Sequence, residues 1–205
     1  MKHQIIVIHG GDVFNTYEEY LVFLKSREID FERYRTHWKD WKATLDEKLG
    51  KEFEVILPTL PNKMNAKYLE WKIWFEKFVP YFEPEVVLIG HSLGGTFLAK
   101  YLSENDFPKK IRAAFLVAAP YDYDSRGGTN DLGDFALSKD LSKFNEQAGK
   151  IFIYHSKDDP IVPLTDSEKY KRSLPQAEMV IFEDKGHFNQ TEFPELISNI
   201  KKLYN

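Results

Sequence analysis

VVLIGHSLGGTFLAKYL, residues Val86–Leu102, runs as an apolar stretch into Gly90-His91-Ser92-Leu93-Gly94-Gly95 and leaves it with apolar residues at helical spacing. A buried strand therefore turns abruptly into a helix, with a serine at the corner. Two readings fit. The glycines could simply allow a tight strand-to-helix turn, with Ser92 capping the helix. Alternatively, the G-x-S-x-G pattern could hold the serine hydroxyl strained and exposed above a parallel sheet, as a nucleophile elbow does. The motif does not choose between them; partner residues elsewhere in the chain must.

Outward from this corner, short apolar runs alternate with longer helical patterns. Strands are expected at Gln4–His9, Phe53–Leu57, Glu85–Gly90, Ala113–Ala118, Ile151–His155 and Glu178–Glu183. Helical patterns fall near Tyr17–Leu49, Lys67–Phe78, Gly94–Glu104, Thr165–Leu174 and Phe193–Tyr204, and the glycine- and aspartate-bearing segment Asp122–Leu132 reads as a loop. Such alternation predicts an α/β fold: a doubly wound, mostly parallel sheet of about six strands, with helices on both faces. Residues 1–205 are expected to form one domain with a helical insertion at about 15–50. That insertion is far longer than the connection needs, and two helices broken around Ile29 and Asp30 are expected within it. Trp38 and Trp41, and likewise Trp71 and Trp74, stand at helical i, i+3 spacing and are expected to face the core.

A serine hydroxyl is a weak nucleophile at neutral pH, so it needs a base in reach and a group to orient that base. After the strand KIFIYH comes SKDDPIVP, with Asp158 and Asp159; after EMVIFE comes DKGHF, with His187. Both loops follow strands, as Ser92 does, which brings all three to the carboxyl edge of one sheet, where open α/β folds build their sites. DDP or Gly186-His187 alone could be an ordinary turn. Their joint occurrence, in order, favours a triad of Ser92, one of Asp158 and Asp159, and His187. A developing oxyanion needs donors. The Leu93 N–H, at the helix N-terminus, is one. The other is expected from VIHGGDVF, at Gly11 or Asp12. His3, His37, His91 and His155 lack partner motifs and are expected to be structural or solvated.

Composition limits the alternatives. The chain has 42% hydrophobic and 29% charged residues, an ordinary soluble balance, and 28 basic against 32 acidic residues give a net charge of −4, so no nucleic-acid partner is indicated. There is no cysteine, which excludes disulfides, thiolate metal sites and a cysteine nucleophile. No apolar run suits a secretory signal or a membrane span, so a cytoplasmic protein without membrane association is expected.

With IVIHGG, GHSLGG, SKDDPIVP and DKGHFNQTEFPELISNIKKL in place, the sequence resembles the α/β-hydrolase superfamily. Within it, the resemblance is to the small serine hydrolases related to retinoblastoma-binding protein 9 and bacterial YdeN. It covers most of the chain after about Phe53. It implies a doubly wound sheet without a large lid, no metal and no organic cofactor, and the triad Ser92, Asp159 and His187. In that pattern the acid stands four residues before the proline of a D-x-x-V-P run, a register met by Asp159 and missed by Asp158, which should be a solvated or turn-capping acid. The insertion departs from the family's usual length and could roof the site, with at least one of Phe14, Tyr17 and Tyr20 lining the entrance to Ser92. The expected activity is hydrolysis of a small-molecule carboxylic ester of small or medium acyl length. The same chemistry serves thioesters and peptides. The alternative is a non-catalytic binding or scaffold protein that keeps the fold; a protein partner is not otherwise indicated.

Overall fold

The computed structural model describes residues 2–122 and 132–205. Six strands, β1 (His3–Ile8), β2 (Phe53–Ile56), β3 (Glu85–His91), β4 (Lys110–Val117), β5 (Ile151–Ser156) and β6 (Glu178–Phe182), form one sheet in the order β2-β1-β3-β4-β5-β6. Every pairing is parallel. The inner strands are apolar at successive positions because helices cover both faces. β5 is buried along its whole length, whereas most residues of edge strands β2 and β6 are only partly buried or exposed. The strand order reverses between β1 and β3, so the crevice beyond their carboxyl ends is the switch point of the sheet.

The helices are α1 (Tyr17–Ser26), α2 (Phe31–Arg35), α3 (Trp41–Leu49), α4 (Tyr68–Phe78), α5 (Leu93–Glu104), α6 (Ser142–Gln147), α7 (Leu164–Ser173) and α8 (Pro194–Lys202). On one face, Trp71 and Phe75 of α4 and Phe97 of α5 pack against Ile6, Leu88 and Leu116. On the other, Trp41 and Leu45 of α3 and Leu196 and Ile200 of α8 pack against Val87, Phe115 and Tyr154. The two apolar layers enclose the sheet between them.

Several expectations change. The insertion holds three helices. The break at Asp30 is present, but Asp40 also caps a helix, its Oδ1 accepting from the Lys42 N–H at 3.0 Å, while Thr36 ends α2 and His37 adopts φ 50°. Trp38 precedes that cap, so its i, i+3 spacing from Trp41 does not describe one helical face: Trp41 is buried and Trp38 is 38% exposed. On α4, Trp71 and Phe75 form the buried stripe, and Trp74 is 43% exposed. β4 starts three residues before the expected Ala113, extended by Ile111 in the core and by Arg112, whose Nη2 meets Glu85 at 2.5 Å. The short helix α6 was not expected. Of the Asp122–Leu132 segment, read as a loop, residues 123–131 lie outside the described residues.

Candidate active site

Ser92 leaves β3 with φ 54° and ψ −128°, a strained conformation for a residue with a side chain, while its N–H donates to Val117 O at 2.8 Å. It occupies the N-cap position of α5, yet its side chain makes no capping hydrogen bond. The capping reading of Ser92 therefore fails, and the hydroxyl is left for another use. The corner is this tight because α5 starts directly against β1: a Cβ on Gly94 would overlap the carbonyls of Ile8 and His9. Space at the hydroxyl comes from Gly10, where a Cβ would lie 3.0 Å from Ser92 Cβ and 3.5 Å from Ser92 Oγ.

The two loops at the far side of the sheet meet. His187 Nδ1 lies 2.9 Å from Asp159 Oδ2, and the Asp159 side chain is fully buried. The other carboxylate oxygen, Oδ1, accepts from the N–H groups of Ile161 at 2.8 Å and Val162 at 3.0 Å. Pro160 restricts Asp159 to extended conformations, and the Asx-type turn then fixes the direction of the carboxylate. Asp158 faces elsewhere. Its Oδ1 accepts from Ser156 Oγ at 2.6 Å and from the Gly186 N–H at 2.8 Å, and these two bonds hold its carboxyl below the usual carboxylate range. Asp158 is thus an exposed acid that caps a turn and pins the β5 and β6 loops together. His187 and Ser92 line one cleft at the switch point; no hydrogen bond joins them in this structure, as is common without substrate.

Of the expected oxyanion donors, the Asp12 N–H is committed to Lys63 O at 2.8 Å, which corrects that candidate. The N–H groups of Leu93 and Gly11 meet no acceptor among the described residues. Sequence reasoning missed His9. Its Nε2 accepts from the Leu60 N–H at 2.9 Å, so Nδ1 carries the proton and donates to Gly10 O at 2.7 Å. That carbonyl belongs to the same peptide plane as the Gly11 N–H, so His9 fixes the direction of the donor. Burial lowers the His9 pKa, in keeping with a neutral ring. No spacing pattern marks such a residue; only the adjacent glycines hinted at a specialised loop.

Two further histidines brace the site from below. His91 donates from Nε2 to His187 O at 2.8 Å, and Lys42 Nζ lies 3.5 Å from its Nδ1. His155 receives Ser167 Oγ on Nδ1 at 2.6 Å and donates from Nε2 to Val162 O at 2.9 Å. The pKa of each is lowered, first by burial. Both are structural, as expected, but each holds a loop that carries a candidate site residue.

The cleft measures about 480 Å³ and is lined by His9, Gly10, Gly11, Ser92 and His187 together with Arg27, Arg33 and Tyr34 of the insertion. The insertion contributes Tyr34 to the lining of the cleft that holds Ser92, and none of the expected aromatics lines it. Phe14 is buried against Tyr20 and Phe23, Tyr17 is 63% exposed, and Tyr20 lines a neighbouring hollow beside Asn62 and Lys67.

The family model for serine hydrolases matches residues 32–201. The chain is 27% identical over 178 residues to serine hydrolase RBBP9 of Rattus norvegicus, covering 82% of this chain and 87% of the rat protein. Among solved structures, the ydeN gene product from B. subtilis superposes with a TM-score of 0.69 at 17% identity, covering 99% of both chains. The meta-cleavage product hydrolase from Pseudomonas fluorescens IP01 gives 0.65 at 15% identity, over 99% of this chain and 90% of that one. An esterase domain from Rhodothermus marinus gives 0.62 at 16%, over 98% and 84%. These structural likenesses are likenesses of fold. No described helix is long and apolar enough to cross a membrane.

Proposed function

Because the chain belongs to the serine hydrolase family, we propose that it hydrolyses carboxylic esters of small-molecule substrates through Ser92, His187 and Asp159. The observation that carries this reading is the buried Asp159–His187 pair, at 2.9 Å, opening into the cleft that holds an uncapped serine in a left-handed turn. His187 Nε2 takes the proton of Ser92 Oγ as the oxygen attacks the ester carbonyl, and the carbonyl π pair moves onto oxygen. The resulting oxyanion accepts from the N–H groups of Leu93 and Gly11. Collapse breaks the bond to the alcohol, which leaves with the proton from His187. Water repeats the sequence on the acyl-enzyme, giving His187 its proton, and Ser92 is regenerated as the acid departs. Asp159, accepting from Nδ1–H, keeps the ring in the tautomer that leaves Nε2 free and stabilises the transient imidazolium.

The pair of small residues Gly10 and Gly11 around the serine, and an open cleft, suit small or medium acyl groups. Hydrolysis of 4-nitrophenyl esters of graded acyl length by wild type and Ser92→Ala tests the reading. Turnover should fall in the variant by about 10⁴-fold or more, with an unchanged circular dichroism spectrum. Residual activity within tenfold of wild type would contradict the role given to Ser92.

A further inference from the structure

The chain carries a net charge of −4, yet the described surface around Ser92 gathers four cations, Arg27, Arg33, Lys42 and Lys63, with Asp12 as the acid lining the same cleft. Two of the four have partners. Arg27 Nη1 lies 3.9 Å from Asp12 Oδ2, and Lys42 Nζ lies 2.5 Å from Asp40 Oδ2. Arg33 and Lys63 have no carboxylate at ion-pair distance among the described residues. The Arg33 guanidinium is stacked 3.9 Å from the Trp38 ring, which covers its face and leaves its N–H edge for an acceptor.

These charges are close enough to act on one another. Lys42, whose side chain is 11% exposed, is pushed below the usual ammonium range first by burial. Asp40 opposes that shift, and Lys63 and Arg33 add to it. Like charges gathered at one cleft repel one another, and an anion that joins them relieves the repulsion. Arg27, Arg33 and Lys63 also line a second hollow of about 740 Å³, together with Leu24, Ile29, Trp38 and the acids Glu28 and Asp30, so the cations sit where it adjoins the serine cleft.

We infer that the substrate is an anionic ester whose acyl part bears a carboxylate or a phosphate, which Arg33 and Lys63 bind. This rests on the ester hydrolysis proposed above. A planar guanidinium can grip either anion in a bidentate manner, and an ammonium adds a point charge. The insertion thereby acquires a purpose, since Arg27, Arg33 and Lys42 all come from it.

The test compares three methyl esters of matched length by following acid release: methyl hexanoate, monomethyl adipate, and methyl 5-(phosphonooxy)pentanoate. One or both anionic esters should exceed the neutral one in kcat/KM by about tenfold or more, as charge-assisted hydrogen bonds of ordinary strength allow. The better of the two identifies the anion. The preference should shrink in 0.5 M NaCl and fall at least about tenfold in Arg33→Gln/Lys63→Gln. A wild type that is labelled at Ser92 by a fluorophosphonate yet cleaves the neutral ester as well as or better than both anions overturns this inference and leaves the hydrolase reading intact. A folded wild type that is neither labelled nor active on any of the three overturns both.

Discussion

Asp158 and Asp159 are adjacent in sequence and opposed in use. Asp159 buries its carboxylate and gives one oxygen to His187 and the other to two backbone N–H groups; Asp158 spends Oδ1 on Ser156 and Gly186. In Asp159→Asn an amide stands where the carboxylate was, favouring the wrong imidazole tautomer, so kcat should fall by about 10⁴-fold with folding preserved. Asp158→Asn keeps an acceptor for the same two donors and should lower kcat by less than about tenfold. Steady-state kinetics on the two purified variants checks the order; its reversal would give the triad role to Asp158. That Asp159 and not Asp158 meets His187 was legible in the sequence only through the D-x-x-V-P register that the family resemblance supplied. His9 was not legible, since its function depends on Leu60, which meets it only in the folded chain.

At the scale of elements, α3 ties the insertion to the loop that carries His187. Trp41 Nε1 donates to Phe188 O at 2.9 Å, and the Trp41 N–H donates to Gln190 O at 3.0 Å. Its ring packs edge-on against Phe193 and His91. Trp41→Phe keeps much of the apolar contact but orphans the buried Phe188 carbonyl, which should destabilise the protein by about 1–3 kcal/mol and raise KM or lower kcat through a looser His187 loop. Urea denaturation with parallel kinetics measures both; unchanged stability would show that the tie is not needed. Helix existence was readable here from apolar spacing, whereas helix number was not. A single capping aspartate, Asp40, divides what periodicity alone joins, and α1 and α2 bury no residue at all. The inner strands of the sheet were the most legible elements, because burial on both faces makes them near-continuous apolar runs bounded by turns.

Across the whole molecule, the switch point of the sheet gathers loops from β1, β3, β5 and β6 around one cleft, and buried neutral histidines hold them from beneath. The sequence placed Ser92, Asp159 and His187 after their strands, but the basic cleft was hidden, because its cations come from separated segments that only the fold assembles. Burial lowers the pKa of His9, His91 and His155. Each takes up its proton in the unfolded chain near the ordinary value of about 6.5 and resists it in the native one, so the unfolded state binds more protons as the pH falls from about 7 toward the lowered native values. Stability should therefore decline on acidification, by up to about 1.4 kcal/mol per pH unit for each such histidine, and less steeply in His91→Gln. Urea midpoints recorded from about pH 7.5 to 6 would show it, and a flat profile would deny that these rings stay neutral. A fluorophosphonate probe followed by peptide mass mapping reads out whether the Asp159–His187 pair activates Ser92. One adduct per chain on Ser92, absent from Ser92→Ala and strongly slowed in Asp159→Asn, is the predicted result; a folded wild-type protein that stays unlabelled, or carries its adduct on another residue, would contradict it.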